Sequence, residues 1–205
     1  MIHLYNKDCM EAMASMQDNE FDLAIVDPPY GINIADWDKN IPKSEYFLEL
    51  FRVSKKQIIW GANYFNLPHK QGWLCWHKLK GLKGGLGTQS EFELAWTSFL
   101  KKAKYIGLTY NGNVSGWDKP RPDYNPISKI HPTQKPVALY TWLLDKYAKK
   151  GWKILDTHLG SGSSAIAAHN MGYEFHGYEL DKEYYLAAKE RLENHQRQLK
   201  LPLEI

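Results

Sequence analysis

The chain is poor in cysteine: Cys9 and Cys75 are the only two in 205 residues. Two thiols supply neither a disulfide framework nor a paired CxxC spacing for zinc, and they suit a reducing compartment. No apolar run approaches the roughly 18 residues of a membrane span, and Lys7 and Asp8 arrive before any apolar segment develops. Neither a signal peptide nor a membrane segment is therefore expected, and a soluble cytoplasmic protein is. Charge of one sign is not in excess either: 26 Lys and Arg against 23 Asp and Glu leave a net +3, too mild to establish a nucleic-acid partner from the total. The eight histidines, His158, His169 and His176 among them, follow no HExxH or CxxC/HxxxH spacing, so no metal is expected.

What is present suits one globular domain. Hydrophobic residues make up 43% of the chain and charged residues 24%, enough apolar side chain for a sizeable core. The length predicts a single domain over residues 1–205 with a small insertion. Short apolar runs alternate with amphipathic segments, the pattern of strands joined through helices. Strands are predicted at Ile2–Tyr5, Phe21–Val26, Gln57–Trp60, Trp73–Trp76, Phe92–Trp96, Trp152–Leu155 and Tyr173–Tyr178. Helices are predicted at Cys9–Met16, Ser44–Val53, Val137–Lys149, Gly162–Met171 and Asp181 to about Gln198, with Asp8 as a cap for the first.

Regular periodicity fades between 100 and 130, where Gly, Pro, Asn and basic residues dominate, and this stretch reads as an inserted loop region. Its Lys101, Lys102, Lys104, Lys119, Arg121 and Lys129 face only Asp118 and Asp123. From Leu67 to Ser90 a second run, Lys70, Lys78, Lys80 and Lys83, meets no carboxylate. Two such stretches flanking one candidate site point to a polyanion. Trp37 and Trp117, in polar loops, are candidates to meet it as well.

Two short motifs carry the chemistry. Asp27, Pro28, Pro29 and Tyr30 follow a strand directly, and two prolines can continue neither a sheet ladder nor a helix. They fix a rigid exit at the strand's carboxyl end, where open α/β sheets place their ligands. A carboxylate, a locked carbonyl and an aromatic ring would then converge on a planar base bearing an exocyclic amino group. Acceptors on both N–H bonds would draw that poor nucleophile towards a tetrahedral form, ready for in-line attack on a methyl sulfonium.

The second motif runs from Ile154 to Ser164 as strand, glycine turn and helix. Gly160, Ser161 and Gly162 let backbone approach a ligand at a helix N-terminus. Asp156 before the turn suits an ammonium group, and Glu179, 23 positions later at the end of the next predicted strand, suits ribose hydroxyls. Together they read as a site for an adenosyl ligand. The reading requires two motifs 129 positions apart to face one cleft.

These residues, with His131 to Pro136 (His-Pro-Thr-Gln-Lys-Pro) ahead of the cofactor half, resemble the amino-methyltransferases of DNA, in the permuted β-class order. The resemblance implies an α/β, Rossmann-like fold with a seven-stranded, mostly parallel sheet covered by helices on both faces. It implies S-adenosylmethionine as cofactor, no metal, and double-stranded DNA as partner. Asp27, Pro28, Pro29 and Tyr30 would hold the target base, Asp156, Gly160, Ser161, Gly162 and Glu179 the cofactor, with Asp8 near its adenine and Lys135 near its carboxylate. Asp at the head of the tetrapeptide favours adenine N6, whereas Ser is commoner in cytosine enzymes of this type. The basic residues Lys78, Lys80, Lys83, Lys101, Lys102, Lys104, Lys119 and Arg121 would meet DNA, and a flipped-out target would be required. The stretch from 101 to 129 is short for target recognition, which predicts a short site or a second subunit, with a homodimer as one form of it. One departure stands out: Thr157 and His158 occupy the positions where the family usually has Pro and Phe, which bears on cofactor affinity. Cytosine amino-methylation, RNA methylation and a DNA-binding module that has lost catalysis remain open beside the leading reading.

Overall fold

The structure is a computed structural model, and it describes residues 1–78, 90–110, 115–116 and 130–198, with backbone only at 109–110 and 115–116. Strands β1 (Ile2–Asn6), β2 (Leu23–Val26), β3 (Gln57–Trp60), β4 (Trp73–His77), β5 (Phe92–Thr97) and β6 (Lys104–Gly107) lie in the first half of the chain. A two-stranded ribbon of β7 (Thr109–Tyr110) and β8 (Ser115–Gly116) follows, and β9 (Lys153–Asp156) and β10 (Glu174–Glu179) complete the set. The helices are α1 (Cys9–Met13), α2 (Ser44–Val53), α3 (Val137–Tyr147), α4 (Ser163–Asn170) and α5 (Lys182–Gln198).

Eight strands form the main sheet in the order β1, β10, β9, β2, β3, β5, β4, β6. β5 runs antiparallel to both its neighbours and every other pairing is parallel. The expected sheet had seven strands. The eighth, β6, lies in the stretch read as loop, because its short run Lys104-Tyr105-Ile106-Gly107 is bracketed by lysines and glycine and buries only Ile106 and Gly107. Among the described residues no helix is long and apolar enough to cross a membrane.

Side-chain alternation along the strands feeds two cores. Leu23 and Ile25 of β2 join Ile58 and Trp60 of β3 beneath α3 and α4, while Ala24, Val26 and Ile59 pack on the other face against α1 and α2. α2 keeps its predicted bounds because Tyr46, Phe47, Leu50 and Val53 form one buried stripe. α1 stops at Met13, three residues short of the prediction, and its Asp8 cap accepts from the Met10 and Glu11 amides at 2.8 and 3.1 Å.

The topology sets where a ligand can sit. β9 leads through α4 to β10 on one side, whereas β2 leads through α2 to β3 on the other, although β9 and β2 are neighbours. The two connections diverge and leave a crevice at the carboxyl ends of β2 and β9. The loop leaving β2 is fastened by Asp38, which is 2% exposed. One of its oxygens accepts from the amides of Tyr30 at 2.6 Å and Gly31 at 3.0 Å, and the other from Ile32 at 3.2 Å and Ile34 at 3.3 Å. Asp38→Ala leaves those donors without their shared acceptor, so the folded state is expected to lose about 2–4 kcal/mol. Urea unfolding checks this; a change below about 0.5 kcal/mol, the scale of an ordinary surface substitution, would show that the clamp contributes little.

Candidate active site

Both motifs border a single cavity of about 330 Å³. Asp27 and Pro29 line it from the β2 side, and His158, Gly160, Ser161 and Glu179 line it from the β9 and β10 side. Asp8, Cys9, Trp37, His131, Gln134, Lys135, Tyr140, Asp181 and Tyr184 belong to its wall too. The two motifs thus face one cleft, as the sequence reading required. Pro28 and Tyr30 are not among the lining residues, and Tyr30 is joined to the wall through its hydrogen bond to Asp27.

Asp27 is held from two sides. The Tyr30 hydroxyl donates to Oδ1 at 2.5 Å and the Lys135 ammonium to Oδ2 at 2.5 Å. The Tyr30 ring stacks on Tyr64 at 5.0 Å between centroids and 12° between planes. It also lies so close to Gly61, at φ +67°, that a Cβ on Gly61 would collide with it. Burial pushes the Asp27 carboxyl above the usual carboxylate range, and the Lys135 ammonium pulls it back. Burial and the neighbouring Asp27 push the Tyr30 phenol well above its ordinary value, so it remains a donor. Lys135 is 4% exposed at its side chain, and although burial works against its charge, Asp27 and Glu93 hold it charged and raise it.

The glycine turn is built as expected. Gly160 and Gly162 take φ of +50° and +71° at the entry to α4, conformations that side chains resist. Glu179 accepts from the Gly160 amide at 2.8 Å and the Asp181 amide at 3.0 Å, which fixes its carboxylate at the cavity lip. Asp156 behaves differently from the prediction. It is 1% exposed and lies behind the wall, accepting from Ser164 Oγ at 2.6 Å and the His158 amide at 3.1 Å. Burial raises it to about 7, against the pull of those two donors. It shapes the turn from inside. Asp8 joins helix cap and cavity wall, and Ser161 is buried with its carbonyl accepting from Arg191 at 2.7 Å.

Other predicted residues fall elsewhere. Lys135, expected beside a cofactor carboxylate, has its ammonium on Asp27. Lys78 is buried and pairs with Glu93 at 3.1 Å. Lys101, Lys102 and Lys104 are exposed, but β6 runs parallel to β4 and hence to β2, which puts these lysines at the sheet edge opposite the cavity. Of the described DNA candidates, only Lys78, just after β4, lies at the end of the sheet that carries the cavity, and it is not part of the cavity wall. Lys80, Lys83, Lys119 and Arg121 lie outside the described residues, as does Trp117. Trp37 stacks on His131 at 4.9 Å and forms part of the wall, its Nε1 buried without a partner among the described residues.

Sequence reasoning missed Glu93 and Asp38. Glu93 had a signal, since it shares the alternation phase of buried Ala95 and Thr97 in an otherwise apolar strand. It also missed that His3, Glu174 and His176 gather three potential ligand atoms within 4.8 Å of one another on β1 and β10, a contact across strands that no linear spacing encodes. Lys153 Nζ already pairs with that Glu174 at 3.4 Å.

Thr157 and His158 keep a ring where the family has one. His158 packs edge-on to Tyr46 at 5.3 Å, while Thr157 Oγ1 joins Tyr46 OH at 2.7 Å and His158 Nδ1 at 3.0 Å. Burial lowers His158 to about 4, so the folded protein carries it neutral. In the unfolded chain it protonates near 6.5, so its contribution to stability is complete above pH 6.5 and is lost as pH falls towards 4. His158→Phe is expected to flatten that acid loss by up to about 3 kcal/mol, measured as unfolding free energy between pH 7 and 4. His131, also lowered to about 4 by burial and then by Lys135, leaves a residual slope. An unchanged pH profile would place His158 in water.

Comparison with known proteins now adds to the geometry. The chain is 27% identical over 228 residues to the type II methyltransferase M.HpaI of Haemophilus parainfluenzae, covering 91% of this chain and 73% of that one. The solved M1.HpyAVI–SAM complex superposes with a TM-score of 0.61 at 23% identity, covering 93% of this chain and all of the other. The PvuII DNA methyltransferase, titled cytosine-N4-specific, superposes at 0.59 with 12% identity, covering 97% and 92%. These two structures share the fold, an α/β arrangement of the methyltransferase kind. Residues 66–190, more than half of the chain, match the family described as N6_N4_Mtase, DNA methylase, and the protein belongs to that family.

Proposed function

We propose that this chain transfers a methyl group from S-adenosylmethionine to the N6 amino nitrogen of an adenine flipped out of double-stranded DNA. The observation that carries the reading is the shared cavity: the proline-locked acid and the glycine turn with Glu179 border one space. Its volume of about 330 Å³ is within the range of small-ligand sites. The donor set fits a cationic adenosyl ligand, since among the described residues Asp8, Asp27, Glu179 and Asp181 line the wall against one ammonium, that of Lys135. Glu179, oriented by two backbone amides, offers its remaining lone pairs to ribose hydroxyls.

S-adenosylmethionine supplies an electrophilic methyl on a sulfonium. The chain's residues prepare the nucleophile. Asp27, which already accepts from Tyr30 and Lys135, retains lone pairs for one amino N–H, and the Pro28 carbonyl is the second acceptor in this reading. With the cofactor bound, the lone pair of the nitrogen held by Asp27 would form the new N–C bond as the bond from methyl to sulfur breaks, the electron pair going with the departing sulfide. The nitrogen, now cationic, gives its proton to Asp27, whose burial makes it a better base than a surface carboxylate.

An adenine within a duplex cannot reach a cavity at the sheet edge, so the target must leave the stack. Asp27 at the head of the tetrapeptide favours adenine over cytosine. Cytosine N4 is the second reading, favoured by the fold shared with the PvuII enzyme. Mass spectrometry of nucleosides from DNA incubated with the protein and labelled cofactor separates the two: N6-methyladenine is expected, and N4-methylcytosine in its place would overturn the adenine assignment. Asp27→Ala is expected to abolish transfer, by at least about a thousandfold, with cofactor affinity within several-fold by calorimetry. Retention of most of the activity would move the chemistry away from this motif.

A further inference from the structure

Four charged side chains from four separate segments form a line through the protein. Lys78 follows β4, Glu93 lies early in β5, Lys135 precedes α3, and Asp27 follows β2. Lys78 Nζ is 3.1 Å from Glu93 Oε1, Lys135 Nζ is 3.1 Å from Glu93 Oε2, and Lys135 Nζ is 2.5 Å from Asp27 Oδ2. Side-chain exposure along the line is 11%, 25%, 4% and 16%. Lys135 additionally lies 5.5 Å from the centre of the Trp60 ring and 5.8 Å from that of Tyr30, so its position is enclosed by aromatic faces.

Removing this many charges from water is expensive, and well-packed apolar side chains of the same volume would generally serve stability as well or better. The cost calls for a role. Lys135 alone would offset the charge of Asp27, the acid that meets the target nitrogen in this reading, since the other acids of the wall, Asp8, Glu179 and Asp181, belong to its β1 and β10 side. Glu93 restores it: the three innermost groups, Asp27, Lys135 and Glu93, sum to one negative charge, and Lys78 balances the line from its far end, where distance weakens its effect on the reacting atoms.

We propose that Glu93 and Lys135 are positioning residues for the transfer: Lys135 holds the Asp27 carboxylate in place and Glu93 keeps the environment of the nucleophile net negative. This rests on the reading of Asp27 as the acid that holds the target amino group. Asp8, Glu179 and Asp181 share the cavity wall, but the charged groups in the line are the ones that act on Asp27 most directly, Lys135 by contact and Glu93 through it. The phenols of Tyr30, Tyr46 and Tyr140 are all pushed well above their ordinary values, chiefly by burial, and stay neutral. His131, near Lys135, is neutral above about pH 4. Asp156 adds negative charge only above about pH 7. Burial alone would raise Glu93, but Lys135 and Lys78 together hold it below its ordinary value, so it is ionised.

The test measures Asp27 directly and then the reaction. Infrared titration of carboxyl bands in the intact protein, with the Asp27 band identified by its loss in Asp27→Asn, gives the pH at which Asp27 protonates. Glu93→Gln is expected to lower that pH by about one unit and Lys135→Met to raise it, opposite movements that a purely structural defect would not produce. Glu93→Gln should also lower kcat about tenfold with the cofactor KM within twofold, and Glu93→Asp should recover most of both. Should Lys135→Met fail to fold, the Glu93 pair decides. An Asp27 band that does not move in Glu93→Gln, or one that moves while kcat stays at the wild-type level, overturns the proposal. If Asp27→Ala itself remains active, the reading beneath it fails instead, and the band shifts stand apart from that result.

Discussion

The divergence of two crossovers from adjacent strands is the constraint from which the site follows. β2 and β9 lie side by side and run in the same direction, yet the chain leaves them towards opposite flanks of the sheet. Nothing regular can fill the space above their ends, so the loops there must satisfy their own backbone. Asp38 does this on one side with four amides, and Glu179 and Asp156 do it on the other. Three buried or half-buried carboxylates therefore serve as backbone acceptors, and the cavity is what remains between them. The acids that shape the walls also make the space hospitable to a cation.

Much of this was legible in the sequence because it is local. The strand Leu23–Val26 announces its end through Pro28 and Pro29, and the turn from Asp156 to Gly162 announces its backbone through glycine. α2 is readable because its apolar stripe repeats at helical spacing. What escaped notice depends on partners far away in the chain. Lysines at 78 and 135 look alike as letters, and only the pairing of β4 with β5 and the approach of the segment before α3 bring both to one glutamate. The lysines at 101, 102 and 104 were placed beside the site by composition, yet strand direction carries them to the far edge. β6 was missed because its neighbours in sequence are basic, and its membership of the sheet is settled by the edge of β4.

The departure at Thr157 and His158 illustrates how one ring can stand in for another. An imidazole held neutral by burial keeps the edge-on contact with Tyr46 that any aromatic could make, and it adds a polar nitrogen that Thr157 occupies. The arrangement ties the glycine turn to α2 through Tyr46. The exchange retains packing and introduces sensitivity to acid.

Among the described residues β5 is the one strand of the main sheet that opposes its neighbours, and this reversal is why Glu93 stands where it does: the beginning of β5 lies at the edge where β2, β3 and β4 finish. Its position depends on the pairing Trp76↔Glu93 and Trp73↔Trp96. Slippage by one residue would invert every side chain of the strand, turning the acid to the opposite face of the sheet and bringing Phe92 or Leu94 against the ammonium of Lys135. The tryptophans that lock the alignment several residues away are in that sense part of the electrostatics, and an apparently conservative change among them would be felt as a change of charge.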